Sequence, residues 1–95
     1  MISRWFYKNS ISDFLESSEY SILGQMTSIN SFALEITQRD AWLEQIFILK
    51  NALSQYKGSI FFEYSIPRMG KRVDAIIIIN SVLFVLEFKV GSDRF

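Results

Sequence analysis

Two apolar, β-rich runs, residues 72–79 and 82–90, meet at Asn80-Ser81, and together they constrain this chain more than any other feature. Neither run alternates polar with apolar residues, the pattern of strands covered on both faces in the middle of a sheet. With Asn80-Ser81 as a two-residue hairpin loop, the register follows. Asp74 falls opposite Glu87 and Arg72 opposite Lys89, with cross-strand Cβ atoms roughly 4.5–5.5 Å apart. Glu87 and Lys89 share a face by period two. A longer loop or a bulge would shift the pairing across the hairpin but would leave Glu87 and Lys89 together.

The preceding residues supply helices and one further strand. Ser10 can cap a short helix over 10–23, in which Ile11, Phe14 and Leu15 share a face and Gly24 is the stop. Residues 25–36 show no clear period and read as loop or irregular helix. Thr37-Gln38-Arg39-Asp40 has capping-box form and opens an amphipathic helix ending near Gly58. Its apolar stripe is Trp42, Ile46, Leu49, Leu53 and Tyr56. Gln38 and Gln45 fall on or beside that stripe, whereas Glu44 lies opposite. After Gly58 the period becomes two, with Ile60, Phe62, Tyr64 and Ile66 on one buried face. Pro67-Arg68-Met69-Gly70 is a turn. Phe61, Phe62 and Tyr64 are expected in the core. The fold class is therefore α+β, an α/β sandwich with helices packed on a three-stranded antiparallel sheet. At 95 residues a single domain spanning 1–95 is expected.

Missing residue types narrow the chemistry. The chain has no Cys and no His, which excludes a thiolate nucleophile, a zinc knuckle and any His-based triad within it. Catalysis would fall to carboxylates, Lys, Tyr or a hydroxyl, with a hard metal that prefers oxygen ligands. Ten basic residues balance ten acidic ones, an argument against tight non-specific duplex binding. The start lacks the apolar run of a signal peptide, and 73–90 carries too much polarity for a membrane span. The expected location is cytoplasmic.

Asp74, Glu87 and Lys89 thus converge on one patch of a sheet otherwise made of Ile, Val, Leu and Phe. Two carboxylates at that spacing repel by roughly 3 kcal/mol at an effective dielectric near 20. A divalent cation, Mg²⁺ or Mn²⁺, would resolve the conflict using Asp74, Glu87 and the backbone carbonyl of Phe88. Lys89 beside it could orient or deprotonate a water. A salt-bridged cluster at a sheet rim is the competing account. Arg68, Lys71 and Arg72 form a small basic group that could hold nucleic-acid phosphates or could simply be a solvated loop. Trp5, Phe6 and Tyr7 could stack on bases, but packing against the first helix is the expected role.

Asp74, twelve intervening residues and then Glu87-Phe88-Lys89 at the end of an apolar strand resembles the PD-(D/E)XK nuclease superfamily. The resemblance implies a restriction-endonuclease-like core in which Asp74 is the motif acid and Glu87 and Lys89 the (D/E)XK pair. Further similarity extends along Ile22-Leu23-Gly24-Gln25, Gln38…Ala41-Trp42…Gln45-Ile46, Ser65 to Asp74 and Val85 to Gly91. These segments look like the N-terminal nuclease-like domain of bacterial proteins that continue into a superfamily-one, helicase-like P-loop ATPase. Many members carry a site-facing Glu on the first core helix. Here Gln45 is the expected helix residue at the site in place of Glu44, and a buried amide bonded to backbone is its alternative role.

What the resemblance implies is a metal-dependent nucleic-acid phosphodiesterase, DNA ahead of RNA. The alternative is a non-catalytic nuclease-fold module that binds nucleic acid or docks onto the ATPase. The superfamily core would still need a helix and a fourth strand after Phe95, so the chain reads as an N-terminal fragment that need not be active alone. Strand 82–90 would then be an apolar open edge, and self-association through it is expected.

Overall fold

The computed structural model describes residues 4–29 and 36–88. Seven elements follow in order: β1 (Tyr7–Ser10), α1 (Ile11–Glu16), α2 (Glu19–Ile29), α3 (Ile36–Ala52), β2 (Ser59–Ile66), β3 (Lys71–Ile79) and β4 (Val82–Leu86). The four strands form one antiparallel sheet in the order β1-β2-β3-β4. The fold is α+β, with one strand more than the three expected. The addition, β1, is only four residues long, and its Tyr-Lys-Asn-Ser sequence has no alternation to announce it. Pairing with β2, from Tyr7↔Phe62 to Ser10↔Ser59, makes it a strand.

Serines decide where the early helices stop and start. Ser10 Oγ accepts the Asp13 N–H at 3.0 Å, capping α1 as expected. The single helix expected over 10–23 is in fact two. Ser17 Oγ donates back to the Asp13 carbonyl at 2.8 Å, and Ser18 Oγ accepts the Ser21 N–H at 3.1 Å, so one serine closes α1 and the next opens α2. Helix α2 runs through Gly24 to Ile29, since an exposed glycine lowers helix propensity without forcing an end.

The helices cover one face of the sheet. Ile11, Phe14, Ile22, Met26, Trp42, Ile46, Ile60 and Phe62 are the largest fully buried side chains of the core between them. Phe62 meets Tyr7 at 5.9 Å and Phe14 at 5.8 Å between ring centroids. Lys50 ties α3 to the end of α1: its Nζ donates to the carbonyls of Phe14, Leu15 and Ser17 at 2.5, 3.1 and 2.5 Å. Burial lowers the Lys50 pKa, and Glu19 opposes that shift. On α3 the covered stripe runs from Trp42 to Leu49 and continues to Leu53 in the turn beyond. Two expected members fall outside it. Gln38 is exposed in the first turn of α3, where water can satisfy its amide, and Tyr56 is exposed because the helix ends at Ala52. Glycine is obligatory at 58, where φ is +154° and a Cβ would come within 1.9 Å of the Ile78 carbonyl oxygen.

Asn80 and Ser81 both have positive φ, 51° and 68°, as a two-residue type I′ turn requires. Strands β3 and β4 therefore pair from Ile79↔Val82 to Ala75↔Leu86, and the same register continued sets Asp74 opposite Glu87. The coverage of β4 differs from expectation. Val82, Leu83, Phe84 and Val85 are 46–56% exposed, because β4 is a sheet edge and α3 stops short of it. An apolar groove of about 430 Å³ remains between Leu49, Leu53, Ile77, Phe84 and Leu86.

Alternation also breaks within β2. Phe62 and its partner Ala75 face the helices. Tyr64 instead packs with Phe61 and Trp5 at 5.7 and 6.1 Å, with Lys8 Nζ 5.3 Å above the Trp5 ring. Phe61 and Tyr64 thus belong to a second, half-buried layer on the opposite face. Their partners Ile76 and Val73 are buried there, apart from the main core. The cause is Glu63, whose φ of 54° turns the strand between Phe62 and Tyr64. None of the described helices is long and apolar enough to cross a membrane.

Candidate metal centre

The irregularity at Glu63 coincides with the acidic residues. In the β2–β3 register, Tyr64 pairs with Val73 and Phe62 with Ala75, which leaves Glu63 opposite Asp74. Glu63, Asp74 and Glu87 therefore occupy one row across three successive segments. Asp74 is half-buried, and its Oδ2 accepts the Phe88 N–H at 2.7 Å, a charge-assisted bond that fixes the carboxylate against the end of β4. Glu87 is exposed. Its Oε2 lies 3.9 Å from Lys71 Nζ, with both side chains about half exposed, so water screens the pair. Phe88 packs against the core, which holds its backbone beside Asp74. Lys89 lies outside the described residues.

Glu63 is the residue that sequence reasoning missed. Its side chain turns to the helix face, where Oε2 accepts the Trp42 Nε1–H at 3.1 Å. Burial raises its pKa above the usual carboxylate value. The Trp42 bond opposes this, Asp74 adds to it, Arg72 lowers it and Glu87 raises it slightly further. The charges of Asp74, Arg72 and Glu87 are thus all felt at one buried carboxyl. A signal was available: a four-residue turn at 67–70 pairs Ile66 with Lys71 and carries Glu63 opposite Asp74.

Helix α3 contributes Gln45, which is 4% exposed and whose Oε1 has no hydrogen-bond partner among the described residues. At about 100° per residue, Gln45 is rotated roughly 60° from Trp42, toward the flank where Ala52 faces β4. Glu44 is exposed and points away.

Among the described residues no three Asp or Glu side chains gather closely enough to ligate one ion. What exists is a pair with free acceptor capacity: Asp74 Oδ1 and the Glu87 carboxylate, with the Phe88 carbonyl on the same backbone segment. That oxygen-only donor set fits Mg²⁺ or Mn²⁺, since Mg²⁺ is commonly held by one or two carboxylates and keeps several waters. Of the basic group, Arg68 is exposed in the turn at φ 75°, Lys71 faces Glu87, and the Arg72 guanidinium stands 4.6 Å from the Phe6 ring centroid. No family model matches the chain, and neither the curated proteins nor the solved structures give a significant match.

Proposed function

We propose that this domain is a metal-dependent nucleic-acid phosphodiesterase of PD-(D/E)XK type, acting on DNA ahead of RNA. The observation that supports it most is the β3–β4 register, which places Asp74 opposite Glu87 at the end of two apolar strands. Asp74, Glu87 and the Phe88 carbonyl would hold Mg²⁺ or Mn²⁺, which supplies stabilisation for charge developing on a phosphate. Lys89, two residues after Glu87 and expected on its face by strand period, would orient the attacking water. Arg68, Lys71 and Arg72, on the adjoining turn and strand, would hold flanking phosphates through contacts that weaken with salt.

The experiment is a Mg²⁺ and Mn²⁺ titration of the parent and of Asp74→Ala. Saturable binding that Asp74→Ala abolishes is expected. Binding that survives the substitution, or no binding at all, would overturn the site. One feature favours a second account: Asp74 Oδ2 is committed to the Phe88 N–H and Glu87 has Lys71 nearby, so both carboxylates already have protein partners. Under it, the domain is a nuclease-fold module that binds nucleic acid or docks onto a helicase-like ATPase without cutting. Salt-dependent oligonucleotide binding that ignores divalent ions would select that account.

A further inference from the structure

The face of the sheet turned away from the helices carries an arrangement of its own. Lys8, Phe61, Ile76 and Val85 pair in succession across all four strands and form one row there. Of the three aromatics near the start of the chain, Tyr7 and Phe6 join the core, Phe6 edge-on to Trp42 at 5.8 Å. Trp5 alone turns to the far face. There it meets Phe61 edge-on at 5.4 Å and lies nearly parallel to Tyr64 at 6.1 Å. All three rings are partly exposed. The positive φ at Glu63 builds this group in two ways. It brings Tyr64 to a face that strict alternation from Phe62 would deny it, and it withdraws the Glu63 carboxylate to Trp42 on the helix side. Lys8 Nζ stands 5.3 Å from the Trp5 centroid and 6.0 Å from that of Phe61, and among the described residues it has no carboxylate partner. Asp74, two residues from Ile76, shares this face by period two, as does Glu87, two residues from Val85. The rings on β2 and the Glu87 position beyond β4 are two strand spacings apart, roughly 10 Å.

We infer that this face is the track for a single nucleic-acid strand, with unpaired bases seated on Trp5, Phe61 and Tyr64 and the backbone crossing β3 toward Asp74 and Glu87. This rests on the nuclease reading above and gives it a substrate class. Aromatic faces accept any base, and a strand can offer its bases to them only when those bases are not already paired and stacked in a duplex. Lys8 completes the track. A base laid on the rings displaces its ammonium, because stacking is stronger than a cation–π contact at an exposed site, and the freed charge meets the adjoining phosphate.

The test uses the 95-residue chain in EDTA with a short mixed-sequence DNA strand, alone or annealed to its complement, and reads binding from the anisotropy of labelled DNA. The parent should bind the single strand more tightly than the duplex. Trp5→Leu should weaken the single strand about tenfold, the scale of one lost base stack, and leave the duplex unchanged. Lys8→Gln should lower the salt slope by about 0.7, the share of one phosphate contact on a single strand. Equal affinity for both forms of DNA, or parent-like affinity and salt slope in both variants, would overturn the track. If Trp5→Leu fails to fold, the exposed Lys8→Gln decides by its salt slope. No single-strand binding, with Mn²⁺ binding that Asp74→Ala abolishes, would overturn the track and leave the metal site standing. Strand binding lost in Trp5→Leu, with Mn²⁺ binding indifferent to Asp74→Ala, would support the track as a binding surface and remove the metal site.

Discussion

The two flanks of the sheet use similar residues to opposite ends. On the β1–β2 flank, Tyr7, Ile11, Phe14 and Phe62 are at most 2% exposed under three helices, and Lys50 fastens α1 to α3. On the β4 flank, Val82-Leu83-Phe84-Val85 is an equally apolar stretch with about half of each side chain in water. Intrinsic strand preference cannot account for the difference, since valine, leucine and phenylalanine suit either place. The number of elements that reach each flank does. Short serine-capped helices fold back over β1 and β2, whereas α3 ends at Ala52 beside a groove that β4 helps to line.

The sharpest test of this contrast is a matched pair of truncations. Phe62→Ala should cost about 3–5 kcal/mol in urea denaturation, the range for a fully buried aromatic ring. Phe84→Ala should cost about 1 kcal/mol, because roughly half the ring is already hydrated. Equal losses would mean that β4 is covered in solution and that the asymmetry is not intrinsic to the fold. A smaller effect on stability, with a large one on association, is expected from Leu83→Lys. We propose that the β4 edge pairs with a second copy. An antiparallel pairing centred on Phe84 sets Val82 against Leu86 and Leu83 against Val85, so each apolar side chain meets another. Sedimentation should show the parent associating and Leu83→Lys monomeric, with stability changed by no more than about 0.5 kcal/mol. A parent that stays monomeric at high concentration would rule the pairing out.

What could be read from the sequence divides along the same line. The β3–β4 register was legible because a two-residue turn between apolar runs leaves little choice of pairing, and the long helix was legible from Trp42, Ile46 and Leu49. Strand β1 was not, because its order comes from pairing with β2 in place of any pattern of its own. The edge position of β4 was legible, but the exposure of its faces was not: a non-alternating apolar run reads as doubly buried whether or not another element covers it. At the candidate centre, Asp74 and Glu87 followed from register. Glu63 did not, because period two put it on the far face and nothing local to it announces a positive φ. The bond to Trp42, twenty-one residues away, stabilises that turn of the strand.

Glu63 sits where the two flanks meet, and pH measures how far its surroundings depart from those of an ordinary surface carboxylate. Its pKa is raised above the usual 4.5, chiefly by burial, with Asp74 and Glu87 adding to the shift against the Trp42 bond and Arg72. The folded protein therefore holds this proton more tightly than the unfolded chain does. Linkage fixes the sign: the carboxyl's favourable contribution is complete below about pH 4.5 and is lost as pH rises through the higher folded value. Glu63→Gln keeps a carbonyl oxygen for the Trp42 N–H and removes the charge. Without metal, the variant should match the parent in acid and exceed it in stability at neutral pH, the gap opening as Glu63 ionises. Thermal melts of both proteins from acid to neutral pH would show this as diverging curves. A constant offset between them would mean that Glu63 ionises as freely in the fold as in the open chain, and the buried acidic row would lose its electrostatic basis.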